Sequence, residues 1–205
     1  MSGFLPMIIW CVQFWSSEML TGSEKPTALD LSAILEGLLE AGIKFILVGG
    51  LAAVVQGAPV TTMDVDIVHN RSSENISKLI AFLKSIDAIY RRPDGKVIGP
   101  NEGDISGKGH FLFATRLGPL DVLAFIEQGR AYEDLLEHTV EIEFRGHIIR
   151  VLNLKALVEL KKTSRDPKDK QRLIVLEETL RQVNEEYGIN QESKRSSAKN
   201  DDVDQ

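Results

Sequence analysis

Apolar residues recur along this chain with two different periods, and the switches between them lay out a series of helices and strands. Between residues 27 and 42, Leu29, Leu31, Ile34, Leu35, Leu38 and Leu39 return at helical spacing, and Gly42 supplies a stop signal. Residues 44–48 form a short apolar run between glycines, which predicts a buried central strand. Residues 51–56 predict a short helix ended by Gly57 and Pro59. Polar and apolar positions alternate over 64–68, as in a strand, and 73–86 predicts an amphipathic helix capped by Ser72 or Ser73.

Residues 91–109 are rich in Gly, Pro, Asp and Asn and predict a long loop, a kind of segment that is usually functional or disordered. Two strands, 110–115 and 120–125, flank Gly118-Pro119 as a hairpin. A helix near 131–137 follows, then strands at 140–144 and 147–151 around Arg145-Gly146. Asn153 caps a helix reaching about Thr163, and a last helix covers about 167–187. The mixture of helices and antiparallel hairpins predicts an α+β (mixed α/β) fold rather than a doubly wound parallel sheet.

Composition changes this picture little. With 205 residues, 43% hydrophobic and 26% charged, the chain suits one compact domain with appendages. The expected organisation is an N-terminal extension over 1–24, a core over 25–152, C-terminal helices over 153–188 packed on it, and a disordered polar tail over 189–205. The net charge of -6 argues against broad nucleic-acid binding, though not against a local basic patch. Cys11 stands alone, so no intrachain disulfide forms and a reducing, cytoplasmic location is expected. The four histidines lack zinc-ligand spacing. The first fifteen residues are apolar but too short to span a bilayer, so no stable membrane insertion is expected. They read as an anchor, a docked segment or, as the favoured reading, an upstream extension of a chain that starts more conventionally at Met19.

The candidate chemistry centres on Asp64 and Asp66. On a strand, the period of two sends both carboxylates to one face, their Cα atoms roughly 6.5 Å apart. Like charges that close disfavour each other's ionisation, and a cation relieves the conflict. Hard carboxylate oxygens suit Mg²⁺ or Mn²⁺ better than zinc. An Asp-x-Asp also occurs in turns and in unrelated enzymes, so its neighbours matter. Gly49-Gly50 falls where a buried strand gives way to a helix, a place whose free N–H groups and dipole favour phosphate; it also fits an ordinary tight turn. Asp121 lies inside an apolar strand, where an acid needs a partner, a metal or a cleft. If that strand neighbours 64–68, three carboxylates converge, the arrangement used by two-metal phosphoryl and nucleotidyl transfer.

Residues 47–68 (LVGGLAAVVQGAPVTTMDVDIV) together with 118–126 (GPLDVLAFI) resemble the DNA polymerase β-type nucleotidyltransferase superfamily. They are more closely similar to small prokaryotic members related to abortive-infection and toxin–antitoxin nucleotidyltransferases, and the resemblance runs from about residue 45 to 180. It implies a small mixed sheet flanked by helices with a C-terminal helical segment. It also implies that Gly49 and Gly50 hold the triphosphate of an NTP. Asp64 and Asp66 would ligate the nucleotide-bound and catalytic ions, two Mg²⁺ or Mn²⁺. Asp121, the third carboxylate, would ligate the catalytic ion and help activate an acceptor hydroxyl. The reaction implied moves an NMP from NTP to a tRNA, protein or small-molecule hydroxyl and releases pyrophosphate. Two positions depart from the pattern: Gly50 stands where many relatives have Ser, and Val60 where close relatives often carry Arg.

Residues 155–172 hold seven Lys or Arg against three Asp or Glu. They read as a solvated face, or as a source of triphosphate contacts, with Lys161, Lys162 and Arg165 as nucleotide-binding candidates; relatives have a similar basic helix beside the cleft. His69 reads as structural, and Lys96, Lys108 and His110 bracket the long loop, where they could meet substrate. The rival to an enzyme is a non-catalytic nucleotidyltransferase-like module with a small helical protein partner, such as one half of a toxin–antitoxin pair. A phosphohydrolase of the haloacid type fits less well, because its Asp-x-Asp lies on the first strand.

Overall fold

The computed structural model describes residues 29–164 and 167–200. The expected N-terminal extension, residues 201–205 and Arg165 lie outside the described residues. Helix α1 (Leu31–Glu40) begins where Asp30 accepts a hydrogen bond from the Ala33 N–H at 2.9 Å, and it buries Ile34, Leu35 and Leu38. Such a cap satisfies a donor that the first turn cannot. Strand β1 (Phe45–Val48) is buried along its whole length, as its unbroken apolar run requires. It leads straight into α2 (Gly49–Val54) and then, through a loop, to β2 (Val65–His69).

Helix α3 (Ser73–Ser85) is capped by Ser72, and β3 (Ile89–Tyr90) is a two-residue strand that the sequence pattern does not reveal. The long segment 91–109 is not all loop. Asn101 caps a one-turn helix, α4 (Glu102–Ile105), with acidic residues in its first turn and Ile105 fully buried as its anchor. The hairpin of β4 (His110–Thr115) and β5 (Gly118–Leu123) turns at Arg116-Leu117, not at Gly118-Pro119. Thr115 Oγ1 accepts from the N–H groups of Leu117 and Gly118, both at 3.1 Å, which closes the turn two residues early. After α5 (Tyr132–Leu135) come β6 (Thr139–Phe144) and β7 (His147–Leu152), then α6 (Leu154–Thr163) and α7 (Pro167–Asn200). The backbone of α7 continues past Tyr187, where its apolar pattern ends.

The seven described strands form one mixed sheet in the order β3-β4-β5-β2-β1-β7-β6. The β2–β5 and β1–β7 pairs are parallel and the others antiparallel. The fold is therefore mixed α/β, with the mixed sheet and C-terminal helices the motifs imply. Helix α1 packs on α3 and against β2 and β5, while α2 lies on β1 and β2 and touches α6, which packs on α7. Gln56, just past α2, ties these parts together. Its amide donates to the carbonyls of Ala52 (2.7 Å) and Leu152 (2.9 Å), and its Oε1 accepts from the Leu154 N–H at 3.1 Å. The end of α2 is thereby locked to the junction of β7 and α6. Among the described residues, no helix is long and apolar enough to cross a membrane.

Candidate active site

The register of the sheet brings the candidate acids together. Asp66 on β2 stands opposite Val48 of β1 and opposite Asp121 of β5. Asp64, Asp66 and Asp121 each offer a carboxylate oxygen within 4.8 Å of the others. Asp64 is not on the strand, as its alternating pattern suggests, but one residue ahead of it. The reason is local. Strand β1 ends at Val48, the partner of Asp66, and turns into α2, so Asp64 has no ladder partner on that side. Its carboxylate instead accepts the Thr62 hydroxyl at 2.9 Å.

The double glycine has a reason within the fold before any ligand is considered. Gly49 has φ +68, and a Cβ there would lie 2.0 Å from Asp66 Oδ2. A Cβ on Gly50 would lie 2.7 Å from Thr62 Oγ1. The pair is therefore small so that the two groups flanking Asp64 can close on the helix start.

Electrostatically the cluster is under tension. Asp66 is pushed up from 3.8 to about 7, first by burial and then by the charges of Asp64 and Asp121; Lys161 and the Gly50 N–H pull it partly back. Burial also raises the Asp121 carboxyl, against the pull of Arg91. The Arg91 guanidinium forms an ion pair with Asp121 Oδ1. The raised carboxyls of Asp66 and Asp121, with Asp64 beside them and hard oxygens within 4.8 Å of one another, form a donor set suited to a divalent cation of the Mg²⁺ or Mn²⁺ kind.

Beside the acids lies a cavity of about 310 Å³ lined by Val48, Gly49, Asp64, Asp66, Leu123, Ile126, Glu127, Leu160, Lys161 and Arg172. A larger groove of about 770 Å³, with Glu36, Glu40, Lys78 and Arg116 on its rim, runs between α1 and α3. The acids converge on the smaller one, and chemistry rather than size decides between them. Lys161 Nζ is held by Asp169 Oδ1 at 2.7 Å, and Ser164 Oγ donates to the other oxygen of the same carboxylate at 2.6 Å. Lys162 does not line the cavity; it pairs with Glu177 on α7 at 2.9 Å. Helical spacing explains the split, because adjacent residues of α6 point about 100° apart.

Sequence reasoning missed Arg91, Thr62 and Arg172. Arg172 belongs to the basic run but is set apart from Lys161 by the break at Ser164, and its guanidinium reaches the Thr61 carbonyl at 3.5 Å. His69 is structural: it is fully buried, its ring nitrogens 3.0 Å from the Leu123 carbonyl and 3.3 Å from that of Ile105. Burial lowers its pKa below the ordinary histidine value.

No protein-family model and no curated protein sequence significantly matches the chain. Among solved structures it is similar to the lincosamide antibiotic adenylyltransferase LnuA in its lincomycin-bound form. The identity is 15% and the TM-score 0.47, over 72% of this chain and 94% of that one. It is also similar to ANT(2″)-Ia in complex with adenylyl-2″-tobramycin, at 16% identity and a TM-score of 0.46, over 80% of this chain and 94% of the other. These structural neighbours are antibiotic nucleotidyltransferases. At such identities and scores they bear on neither the chemistry of this chain nor its acceptor.

Proposed function

We propose that this chain is a metal-dependent nucleotidyltransferase that moves an NMP from an NTP to a hydroxyl acceptor and releases pyrophosphate. The observation that carries the reading is the meeting of Asp64, Asp66 and Asp121 within 4.8 Å, beside a cavity lined by Gly49, Lys161 and Arg172. In this reaction the acceptor oxygen forms a bond to the α-phosphorus, the bond from that phosphorus to the bridging oxygen breaks, and pyrophosphate leaves. Lys161 and Arg172 oppose the charge of the triphosphate in the cavity that Gly49 lines. Asp121 is the group to which the acceptor hydroxyl presents its proton. When bound to the three acids, Mg²⁺ or Mn²⁺ supplies charge neutralisation for the entering and leaving oxygens. The acceptor is a tRNA, protein or small-molecule hydroxyl.

The test is label transfer from each α-labelled NTP with Mg²⁺, offering total tRNA, total protein and small polyols as acceptors. Transfer should occur with wild type, vanish in EDTA, and vanish in Asp64→Ala/Asp66→Ala. Label transfer that survives the double substitution sinks the mechanism. Silence with every acceptor and every NTP points instead to a non-catalytic module that binds a partner.

A further inference from the structure

The sheet carries a line of four side chains that the reaction as described uses only in part. Arg91, just past β3, donates its backbone N–H to the Leu112 carbonyl at 2.8 Å, extending the β3–β4 ladder by one residue. Leu112 stands opposite Asp121, and Asp121 opposite Asp66. Residues directly opposite one another in neighbouring strands project to the same face. Arg91, Leu112, Asp121 and Asp66 therefore form a row across four strands. The row ends, beyond Asp66, at Val48 and Gly49, where the cavity with Lys161 and Arg172 begins.

The two ends of the row are chemically different places. Lys161 and Arg172 are beside the cavity, on the β1 side of the acids. Arg91 is on the far side, three strands beyond Asp66, and is absent from the cavity lining. A nucleotide seated in the cavity leaves this far side to the acceptor. There the surface is open: Leu112 is 41% exposed, large for an apolar side chain beside a buried acid. The next position of β4 on the same face is His110, packed on Phe125 with ring centres 5.4 Å apart. The Arg91 side chain is 36% exposed while that of Asp121 is 13%. Its guanidinium has five N–H donors, and among the described residues Asp121 is its one hydrogen-bond partner.

We propose that Arg91 selects the acceptor: it receives an oxyanion, phosphate or carboxylate, carried beside the reacting hydroxyl, with an apolar or ring portion of the acceptor resting on Leu112. This rests on the nucleotidyltransferase reading and narrows it. A planar guanidinium reads such a group through paired hydrogen bonds, and an acceptor with an ammonium at that position meets repulsion instead. Arg91 keeps donors beyond its pairing with Asp121 at the open side of the acid cluster, and they favour an anion over a cation there.

The experiment uses the full chain saturated with Mg²⁺ and a non-hydrolysable NTP analogue, so that the cavity is filled. Phenyl phosphate, benzoate and benzylamine are then titrated as ring-bearing probes of the three charge types. Wild type should bind phenyl phosphate or benzoate, and the stronger of the two identifies the source of the oxyanion; benzylamine should not bind. With each variant saturated with analogue, Arg91→Leu should weaken the anionic probe by about tenfold or more, and Arg91→Lys by less. Leu112→Glu, a change at an exposed position, should weaken it too and serves if Arg91→Leu fails to fold. Absence of binding by both anions overturns the proposal, as does anion binding insensitive to Arg91→Leu and Leu112→Glu, or binding that falls in Lys161→Ala instead. Failure of the analogue itself to bind wild type strikes the nucleotidyltransferase reading, a separate result from failure of the probes.

Discussion

Gly49 and Asp66 constrain each other more tightly than any other pair in the site. Gly49→Ala would place a methyl 2.0 Å from the Asp66 carboxylate at a backbone φ of +68. The expected loss is about 2–4 kcal/mol, combining left-handed strain with overpacking. Urea unfolding of Gly49→Ala, Asp66→Ala and the double variant checks this: the double should recover much of the loss, and a simple sum of the single effects would refute the contact. Asp66 also makes a pH prediction. Its folded pKa of about 7 lies above the ordinary 3.8, so the folded state holds a proton that the unfolded chain has released between those values. Its contribution to stability is full below about pH 4 and is lost as pH rises through 7. Asp66→Asn, which removes that loss, should be more stable than wild type at pH 8 without divalent ions by up to about 4 kcal/mol, the rise from 3.8 to about 7 at 1.36 kcal/mol per pKa unit. Near pH 4 the advantage should disappear in the same melts.

At the scale of elements, the join between α2 and α6 decides whether Lys161 faces the acids. Gln56 makes that join through two hydrogen bonds, one to the Leu152 carbonyl and one from the Leu154 N–H. Gln56→Leu keeps the bulk but leaves the Leu152 carbonyl and the Leu154 N–H without their partner, at a cost of about 2 kcal/mol. Because α6 would shift against α2, KM for NTP should rise more than kcat falls; an unchanged KM would place the role of Gln56 in stability alone. Several elements were legible in the sequence for physical reasons. The run 44–48 has no polar face to expose, and Asn153 and Ser72 are side chains that cap. Asp64, Asp66 and Asp121 were legible because acids beside Val and Ile need a reason. Thr62 and Arg91 were not. Their roles depend on loop closure and on a reach across Leu112 that no spacing encodes. The basic run told only that cations cluster; which of Lys161 and Lys162 turns inward is settled by the packing of α6 on α7.

For the whole molecule, the acids are a fault line that a cation would heal. Proton and cation compete for the same oxygens, so Mg²⁺ should raise the melting temperature by several degrees at pH 8 and by less at pH 6, where Asp66 holds its proton. The Asp64→Ala/Asp66→Ala variant should show no such shift, and a shift equal to that of wild type would remove the acids as the binding site. The order of the sheet has a further consequence, in time rather than in space. Strands β1 and β2 are near neighbours in sequence, but Asp66 meets Asp121 only when β5 slides in parallel beside β2, and the sheet is sealed by Leu47 pairing with Val151, roughly a hundred residues on. Pairings of that kind are slow because the chain must close long loops before any contact rewards it. A ribosome-bound fragment ending before residue 118 thus carries the glycines and two acids but no third, and the centre switches on in a single late event of folding.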